Sequence, residues 1–359
     1  MIALQNMISR LKHAFRRPSD ASKRFLVRHS LKLLRIDLSK ETEIQYVELG
    51  MYFSKITSKE RITDNLALEF KQDKANLAHN FNSRFLIGIT DVIVNTETNH
   101  IFVLSKDKRT FFLLQESTCW PVHLELLNCG SPGKVPLQVV EKAILGLPKS
   151  GYFHLLTEDL PNFLLNTSYE NTLSHQKPNS FSIGVYEQTE ATLVTSSKWV
   201  YVRELRFITK NLDLGYLHPS SREELLRFRD QVNAGDKAYG NKLYVSRLKS
   251  RRSIPEEALM EQFFLSEGFT VIYAEDFSLQ EQISIFRNAT LVVGVHGAGI
   301  ANLVWAEKCK LVELMPIDRI NRCFEWQSYI CGHEYKRIYF DEENFSMTNI
   351  LNEIKPLIA

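Results

Sequence analysis

A glycine-rich stretch in the last third of the chain has the features of an anion-binding loop. A short β-branched run, 291–293, precedes three glycines at 294, 297 and 299, and apolar residues at helical spacing follow. Such a loop lets the backbone approach a ligand closely and directs the first N–H groups of a helix towards it, which suits a phosphate. The pattern is also typical of a tight turn that packs a helix on a sheet. The candidate anion ligands are His296, Gly297, Ala298, Gly299 and Asn302.

Two further groups of charged residues follow predicted strands. The stretch 246–252 reads Ser-Arg-Leu-Lys-Ser-Arg-Arg, in which Arg247 and Arg252 could each hold phosphate oxygens with two N–H groups. A solvated basic face is the alternative. Glu313, expected at the end of a strand, could bind ribose hydroxyls, or it could be a carboxylate at the edge of the core.

A third group lies on a predicted helix in the middle of the chain. Apolar residues between 153 and 164 have helical spacing, which places His154 and Glu158 four residues apart on one face, with Asp159 beside them. A histidine and a carboxylate in this arrangement can orient each other, and either could take a proton from a hydroxyl at the edge of a cleft. A purely structural His–Glu pair is the alternative.

Alternating strands and helices in the second half of the chain must position these groups. Capping boxes at 253–256 and 278–281 predict two helix starts, and β-rich runs lie between the helices. This alternation predicts an α/β fold with a parallel, doubly wound sheet. Ligands of such sheets bind at the carboxyl ends of the strands, where both the glycine loop and the arginine stretch are expected.

The first half has a different pattern. Short β-rich runs between 85 and 114 predict a small antiparallel sheet, and 182–186, 191–195 and 199–203 are also β-rich. We therefore expect a basic N-terminal segment at 1–40, an N-terminal domain at 41–235 and a C-terminal Rossmann-like domain at 236–359.

Composition limits the class of protein. The chain has 359 residues, of which 44% are hydrophobic and 24% charged, as in a globular protein of two domains. Residues 1–36 contain nine Lys and Arg against one Asp, a charge of +8, so the remainder carries −6 of the overall +2. Because this segment also contains Leu and Phe, it could bind an anionic membrane surface. A helix packed on its own domain with a solvated basic face is the alternative.

Several classes of site are not indicated. No run of about 18 apolar residues occurs and the start is too polar for a secretory signal, so we expect a cytoplasmic protein, peripheral to the inner face of the membrane if segment 1–36 binds lipid. The five cysteines form no C-x-x-C pair, which argues against a disulfide framework and a zinc site. No Asp-x-Asp triplet occurs, so a metal that neutralises a diphosphate has no obvious ligands.

Taken together, five motifs resemble glycosyltransferase family 61, over roughly residues 80–340. They are the helix at 152–161, Arg247 with Arg252 and Glu256, the stretch 277–282, the loop 294–302, and 311–316. Pro255 stands where the family commonly has Asn, which puts any contact of that side chain in doubt.

The resemblance implies a GT-B fold, two Rossmann-like domains facing across a cleft, in which 41–235 is the acceptor-side domain and 236–359 the nucleotide-sugar-binding domain. It also implies inverting transfer of a hexosyl or pentosyl group from a nucleotide sugar, expected to be UDP-linked, to a glycan or glycolipid hydroxyl, as in capsular polysaccharide or glycoconjugate synthesis. The loop, His296, Arg247 and Arg252 would hold the diphosphate with no metal and no other cofactor. Glu158 or Asp159, oriented with His154, would deprotonate the acceptor.

Other classes of function are open to different degrees. A dinucleotide-dependent oxidoreductase should show G-x-G-x-x-G, whereas this loop has the order G-x-x-G-x-G. We expect no nucleic-acid partner, because the basic segment lacks the interleaved aromatic residues of a base-stacking groove. A non-catalytic protein that binds a glycan or scaffolds an assembly on a degenerate transferase fold is the alternative function.

Overall fold

The computed structural model describes most of the chain after residue 137 and separate strands before it. The described residues are 33–34, 55–63, 66–72, 75–81, 83–104, 111–114, 138–166, 171–195, 197–210, 216–233, 239–250 and 253–358. The basic segment 1–36 lies outside them except for 33–34, and Arg252 also lies outside them. The membrane contact and the Arg252 contact therefore stay predictions. Within the described ranges, no helix is long and apolar enough to cross a membrane.

The chain forms two compact units, and each consists of several separate pieces of sequence. The first comprises Met1–Pro148, Glu170–Lys177 and Thr192–Leu214, and the second comprises Lys149–Tyr169, Pro178–Ala191 and Gly215–Ala359. The sequence-based boundary at 235 does not coincide with this division. The predicted His154 helix lies in the second unit, because it packs against residues that follow the glycine loop.

The first unit contains a mixed sheet, of nine strands among the described residues, and a separate hairpin, β3 with β4. The strands are β1 (Leu33–Leu34), β2 (Lys55–Thr63), β3 (Leu66–Gln72), β4 (Ala75–Phe81), β5 (Arg84–Asn95), β6 (His100–Leu104), β7 (Phe111–Leu114), β8 (Gln138–Leu145), β9 (Thr172–Ser174), β10 (Leu193–Thr195) and β11 (Trp199–Ile208). The sheet order is β1-β7-β6-β5-β11-β8-β9-β10, and β2 also pairs with β5.

The predicted antiparallel sheet is one part of this larger sheet. Strands β5, β6 and β7 pair antiparallel, as do β2 and β11 with β5. Strands β11, β8, β9 and β10 run parallel to one another, and the expected Rossmann-like character of this unit is limited to them.

Strand β5 crosses the centre of the first core as one continuous strand. Phe85, Ile87 and Ile89 face the core, and after an irregularity at Asp91, where φ is 58°, Val92 and Val94 face it. Strand side chains point alternately to the two faces of a sheet, so odd-numbered residues face the core before the irregularity and even-numbered residues face it afterwards. Both halves of β5 therefore pack on the same core. The β-rich runs at 85–89 and 91–95 thus belong to one strand.

The second unit contains a sheet in which every neighbouring pair of described strands is parallel, as predicted. Its strands are β12 (Lys242–Val245), β13 (Thr270–Ile272), β14 (Leu291–Val295), β15 (Lys310–Pro316) and β16 (Glu334–Phe340). The order β13-β12-β14-β15-β16 corresponds to the doubly wound order 2-1-3-4-5. Strand β14 is buried at every residue, which explains its continuous β-branched and apolar sequence.

Helices of the second unit connect and cover these strands. The first, α1, is continuous and consists of Tyr152–His154, the π-helical Leu155–Asp159 and Leu160–Leu164. The others are α2 (Ser180–Gln188), α3 (Ser221–Gln231), α4 (Glu257–Ser266), α5 (Leu279–Arg287), α6 (Cys323–Cys331) and α7 (Met347–Ile358), with 3-10 helices at Ala274–Asp276 and Ala298–Trp305.

Two local predictions were wrong and one is confirmed. Residues 182–186 are part of α2 and not a strand, because the side chain of Asn179 accepts the N–H of Ser182 and caps a helix. The capping box at 253–256 does not form, since α4 begins at Glu257 without a side-chain cap. At the start of α5, Ser278 and Glu281 form the predicted reciprocal capping box.

Candidate active site

The switch point of the parallel sheet lies between β12 and β14, and ligands of such sheets bind at the strand ends beside it. Arg247 follows β12 and His296 follows β14, so two predicted anion-binding motifs lie side by side there. The guanidinium of Arg247 donates to the carbonyl of His296, and its Nε donates to Ser250 Oγ at 3.1 Å. The structure therefore brings the arginine stretch and the glycine loop together, as the sequence predicts.

Two glycines of the loop are in close contact with neighbouring side chains. A Cβ at Gly297 would lie 2.9 Å from Nη1 of Arg247, and a Cβ at Gly299 would lie 3.0 Å from Cγ1 of Val245. Ala298 is exposed and Gly299 half-buried, so the amino end of the 298–305 helix reaches the surface of the unit. The first N–H groups of a helix have no partner within the helix, which leaves them for a ligand.

Two arginines of α3 hold the other end of the 298–305 helix. Arg222 donates to the carbonyls of Val304 and Ala306, and Arg229 donates to the carbonyl of Trp305 at 3.0 Å. Burial lowers the pKa of the Arg222 guanidinium. These cations satisfy the last carbonyls of the helix and fix its position. Nothing in the sequence indicates this contact.

Asn302 is an internal anchor between the loop and α1. It is fully buried, and its Nδ2 donates to Gln282 Oε1 at 2.9 Å while its Oδ1 accepts from Trp305 Nε1 at 3.1 Å. The hydroxyl of Tyr152 lies 2.6 Å from both Asn302 Oδ1 and Gln282 Oε1, and burial raises the pKa of Tyr152. The predicted donor contact of Asn302 stays untested, but its side chain is already engaged in joining three elements.

The predicted His–Glu pair forms on α1. Nδ1 of His154 lies 2.7 Å from Oε1 of Glu158, and the side chains are 33% and 12% exposed. Asp159 is 6% exposed and accepts the hydroxyl of Ser150 at 2.8 Å. The π-helical stretch that contains both carboxylates is of a kind found often at functional sites. Of the three candidate bases, His154 therefore has the most exposed side chain.

Aromatic rings connect α1 with the glycine loop. Phe324, 2% exposed on α6, contacts the ring of His296 with centroids 5.2 Å apart and the ring of Phe153 at 5.4 Å. Phe153 also contacts the ring of its neighbour His154. Residues of α1 pack directly on the 298–305 helix as well. The predicted proton-accepting pair and the predicted anion loop thus belong to one packed region of the second unit.

Glu313 has a different position from the one expected. It lies in the middle of β15, not at its end, and is completely buried. Its Oε1 lies 2.6 Å from Nδ1 of His296, and its Oε2 accepts the hydroxyl of Tyr335 at 2.5 Å. This arrangement supports the alternative of a core carboxylate, because both oxygens have partners within the unit.

The arginine stretch is held by Glu257, which sequence reasoning missed. Its buried Oε1 accepts the hydroxyl of Tyr244 at 2.7 Å and the backbone N–H of Arg247 at 3.1 Å. Glu256, which carried the family resemblance, is exposed and has φ of 58°. The helical spacing of Glu257 from Met260 and Glu261, three and four residues later, could have indicated that Glu257 lies on the buried face of α4.

One comparison with known proteins gives a match for part of the chain. Residues 152–312 match the family model of glycosyltransferase 61. This segment is a glycosyltransferase family 61 domain. The family 61 segment begins at the start of α1 and ends one residue before Glu313, so it contains His154, Arg247 and the glycine loop. No curated protein matches the chain.

Family 61 membership indicates glycosyltransferase activity and implies a nucleotide-sugar donor and a glycan acceptor. The resemblance seen in the sequence is confirmed for this segment. Among the described residues, no group of three or more His, Cys, Asp and Glu side chains is placed to hold a metal ion. Independence from metal stays a prediction.

Proposed function

We propose that the protein is an inverting, metal-independent glycosyltransferase that moves a sugar from a UDP-linked donor to a hydroxyl of a glycan or glycolipid. The observation that carries this proposal is the packing of α1, with the His154–Glu158 pair, on the helix that begins at the glycine loop. A proton acceptor, an anion-binding loop and Arg247 are the parts that displacement of a diphosphate requires.

The donor diphosphate would lie over the amino end of the 298–305 helix. The N–H groups of Ala298 and Gly299 would contact its oxygens, with Arg247 and His296 beside them and Arg252 from the same arginine stretch. Fixed donors of this kind stabilise developing charge by about 3–4 kcal/mol each in oxyanion sites. We do not carry the ribose contact of Glu313 into this proposal, since both its oxygens are engaged.

His154 would be the base, and Glu158 would orient it. With Nδ1–H directed at Glu158, the neutral ring can accept a proton at Nε2. The acceptor hydroxyl would lose its proton to Nε2 while its oxygen attacks the anomeric carbon. The bond from that carbon to the diphosphate would break, and its electron pair would go to the leaving phosphate oxygen. A single displacement inverts the anomeric configuration.

The wider setting is part of the same proposal. The doubly wound sheet of the second unit supports a GT-B type donor domain, and the resemblance supports a role in polysaccharide or glycoconjugate synthesis. A position at the inner face of the cytoplasmic membrane rests on the charge of segment 1–36 alone.

Thermal unfolding of the full chain against nucleotides and nucleotide sugars, with EDTA in every sample, tests the proposal. A ligand at a hundred times its Kd adds about 2.7 kcal/mol to the free energy of unfolding, so binding raises the Tm. We expect UDP and UDP-sugars to raise it and NAD to leave it unchanged. Stabilisation by NAD alone would refute the proposal, and no stabilisation by any nucleotide would favour the non-catalytic alternative.

Turnover is then measured as UDP release from the UDP-sugar that stabilises the protein. His154→Ala should keep the Tm shift with UDP and lose turnover, because it removes the base and leaves the loop intact. Asp159→Asn is the matched control on the same helix, since Asp159 contacts Ser150 and not His154. Equal turnover in His154→Ala and the wild type would exclude His154 as the base.

A further inference from the structure

His296 is held at three points. Its N–H donates to the carbonyl of Leu314 at 2.9 Å, its carbonyl accepts from Arg247, and its Nδ1 lies 2.6 Å from Glu313. Its side chain is 18% exposed, and within the residues that the structure describes no hydrogen bond reaches Nε2. The ring is therefore fixed in direction, and Nε2 is the nitrogen that remains for a ligand.

The group behind His296 is a buried charge cluster. Arg337, 6% exposed, donates to Glu325 at 2.8 Å, and its Nε lies 3.8 Å from Oε2 of Glu313. Two buried carboxylates thus share one guanidinium. The guanidinium of Arg322, 41% exposed, also lies 3.9 Å from Oε2 of Glu325, whereas Oε1 of Glu313 contacts His296. Because burying charges costs free energy even when they are paired, such a cluster is weak evidence for a role in stability alone.

We propose that Glu313 is a positioning residue, which orients His296 so that Nε2–H donates to the donor diphosphate. This inference rests on the proposed function. A neutral ring with Nδ1–H on Glu313 has only an acceptor at Nε2, whereas phosphate oxygens need a donor. With Glu313 as the acceptor at Nδ1, the ring form that donates at both nitrogens is the one that offers Nε2–H to a phosphate. Glu313, Tyr335 and Arg337 lie beyond the segment that matches family 61, and His296 lies within it.

A double-mutant cycle tests whether Glu313 acts through His296. The variants are Glu313→Gln, His296→Asn and the combination, and the readout is the Kd of UDP by titration calorimetry in EDTA. Asn keeps a hydrogen-bond donor near the Nδ1 position and has no atom at the Nε2 position. We expect each single change to weaken UDP binding about tenfold, the size of one lost charge-assisted hydrogen bond. The combination should bind no more weakly than His296→Asn.

Two further variants separate positioning from a loss of folding. Glu325→Gln removes a second buried carboxylate, one that does not contact His296. Urea unfolding should show a loss of stability, while the Kd of UDP stays within about threefold of the wild-type value. Tyr335→Phe removes the hydroxyl that donates to Glu313. It should weaken UDP binding slightly when introduced into the wild type and leave it unchanged when introduced into His296→Asn. It provides the same test if Glu313→Gln does not fold.

The outcomes distinguish the two proposals. If the losses from Glu313→Gln and His296→Asn multiply, or if neither Glu313→Gln nor Tyr335→Phe weakens binding, Glu313 does not act through His296 and the inference is overturned. If no nucleoside diphosphate binds the wild type, the proposed function fails first and the inference fails with it.

Discussion

Gly297→Ala should separate ligand binding from folding, because the new Cβ would contact the guanidinium of Arg247. That Cβ would lie 2.9 Å from Nη1, 3.0 Å from Cζ and 3.2 Å from Nε, where ordinary contact begins near 3.4 Å. The guanidinium must therefore shift by about half an ångström from its place beside the His296 carbonyl. A phosphate contact that depends on the same position of Arg247 is lost when the guanidinium moves.

The expected loss of affinity follows from the type of bond. A hydrogen bond that involves a charged group contributes about 1.5–3 kcal/mol, which corresponds to about a 10- to 150-fold rise in the Kd of UDP. Stability should change by less than about 1 kcal/mol. Gly297 has extended φ and ψ, 177° and 163°, that alanine also adopts, and the obstructing atoms are the end of a flexible side chain.

Titration calorimetry with UDP in EDTA and urea unfolding measure the two effects. Gly299→Ala is the matched control in the same loop, where the new Cβ would meet Val245 at 3.0 Å and Ala274 at 3.3 Å, both packed side chains. It should lose about 1–3 kcal/mol of unfolding free energy by overpacking. The reasoning is refuted if Gly297→Ala binds UDP as tightly as the wild type while Arg247→Ala does not, or if the two changes weaken binding independently.

Three more predictions concern the supports of the site. Burial lowers the pKa of His333 from 6.5 to about 4, so the folded chain binds fewer protons than the unfolded chain between these pH values. The free energy of unfolding, measured in urea, should therefore fall by about 2 kcal/mol more in the wild type than in His333→Gln when the pH is lowered from 7 to 5. Equal losses would contradict the assignment. Arg222→Ala leaves two carbonyls without their donor and should cost about 2–4 kcal/mol by the same assay, whereas exposed Arg227→Ala on the same helix should cost less than about 0.5 kcal/mol. Glu257→Ala should weaken UDP binding several-fold, because it releases the backbone N–H of Arg247. The matched change Glu256→Ala, at an exposed neighbour, should leave UDP binding unchanged. Equal effects of the two changes would show that Glu257 does not hold the arginine stretch.

Local pattern was sufficient for the second unit's sheet. Continuous apolar runs, the Ser278 capping box and glycines between elements each depend on neighbours along the chain, so they can be recognised from the sequence. A parallel sheet with these elements has its strand ends at one edge. This is why the proximity of Arg247 to the glycine loop could be predicted before any coordinates.

Local pattern failed where a long-range contact or a single cap decided the outcome. Residues 182–186 have strand propensity, yet one hydrogen bond from Asn179 and burial of Phe181, Val185 and Tyr186 on one side favour a helix. The choice between Glu256 and Glu257 depended on where α4 begins, which the absence of the predicted cap moved by one turn.

The sequence by itself determined the α/β fold class, the order of strand, glycine loop and helix, and the pairing of His154 with Glu158, because each depends on residues only a few positions apart. Only the tertiary structure decided that α1 belongs with the C-terminal sheet and that Glu313 is a partner of His296. The reason is physical: Tyr152 and Asn302 are 150 residues apart, and Glu313 is 17 residues from His296 on the neighbouring strand. Burial and strand register, which no local periodicity encodes, bring such residues together.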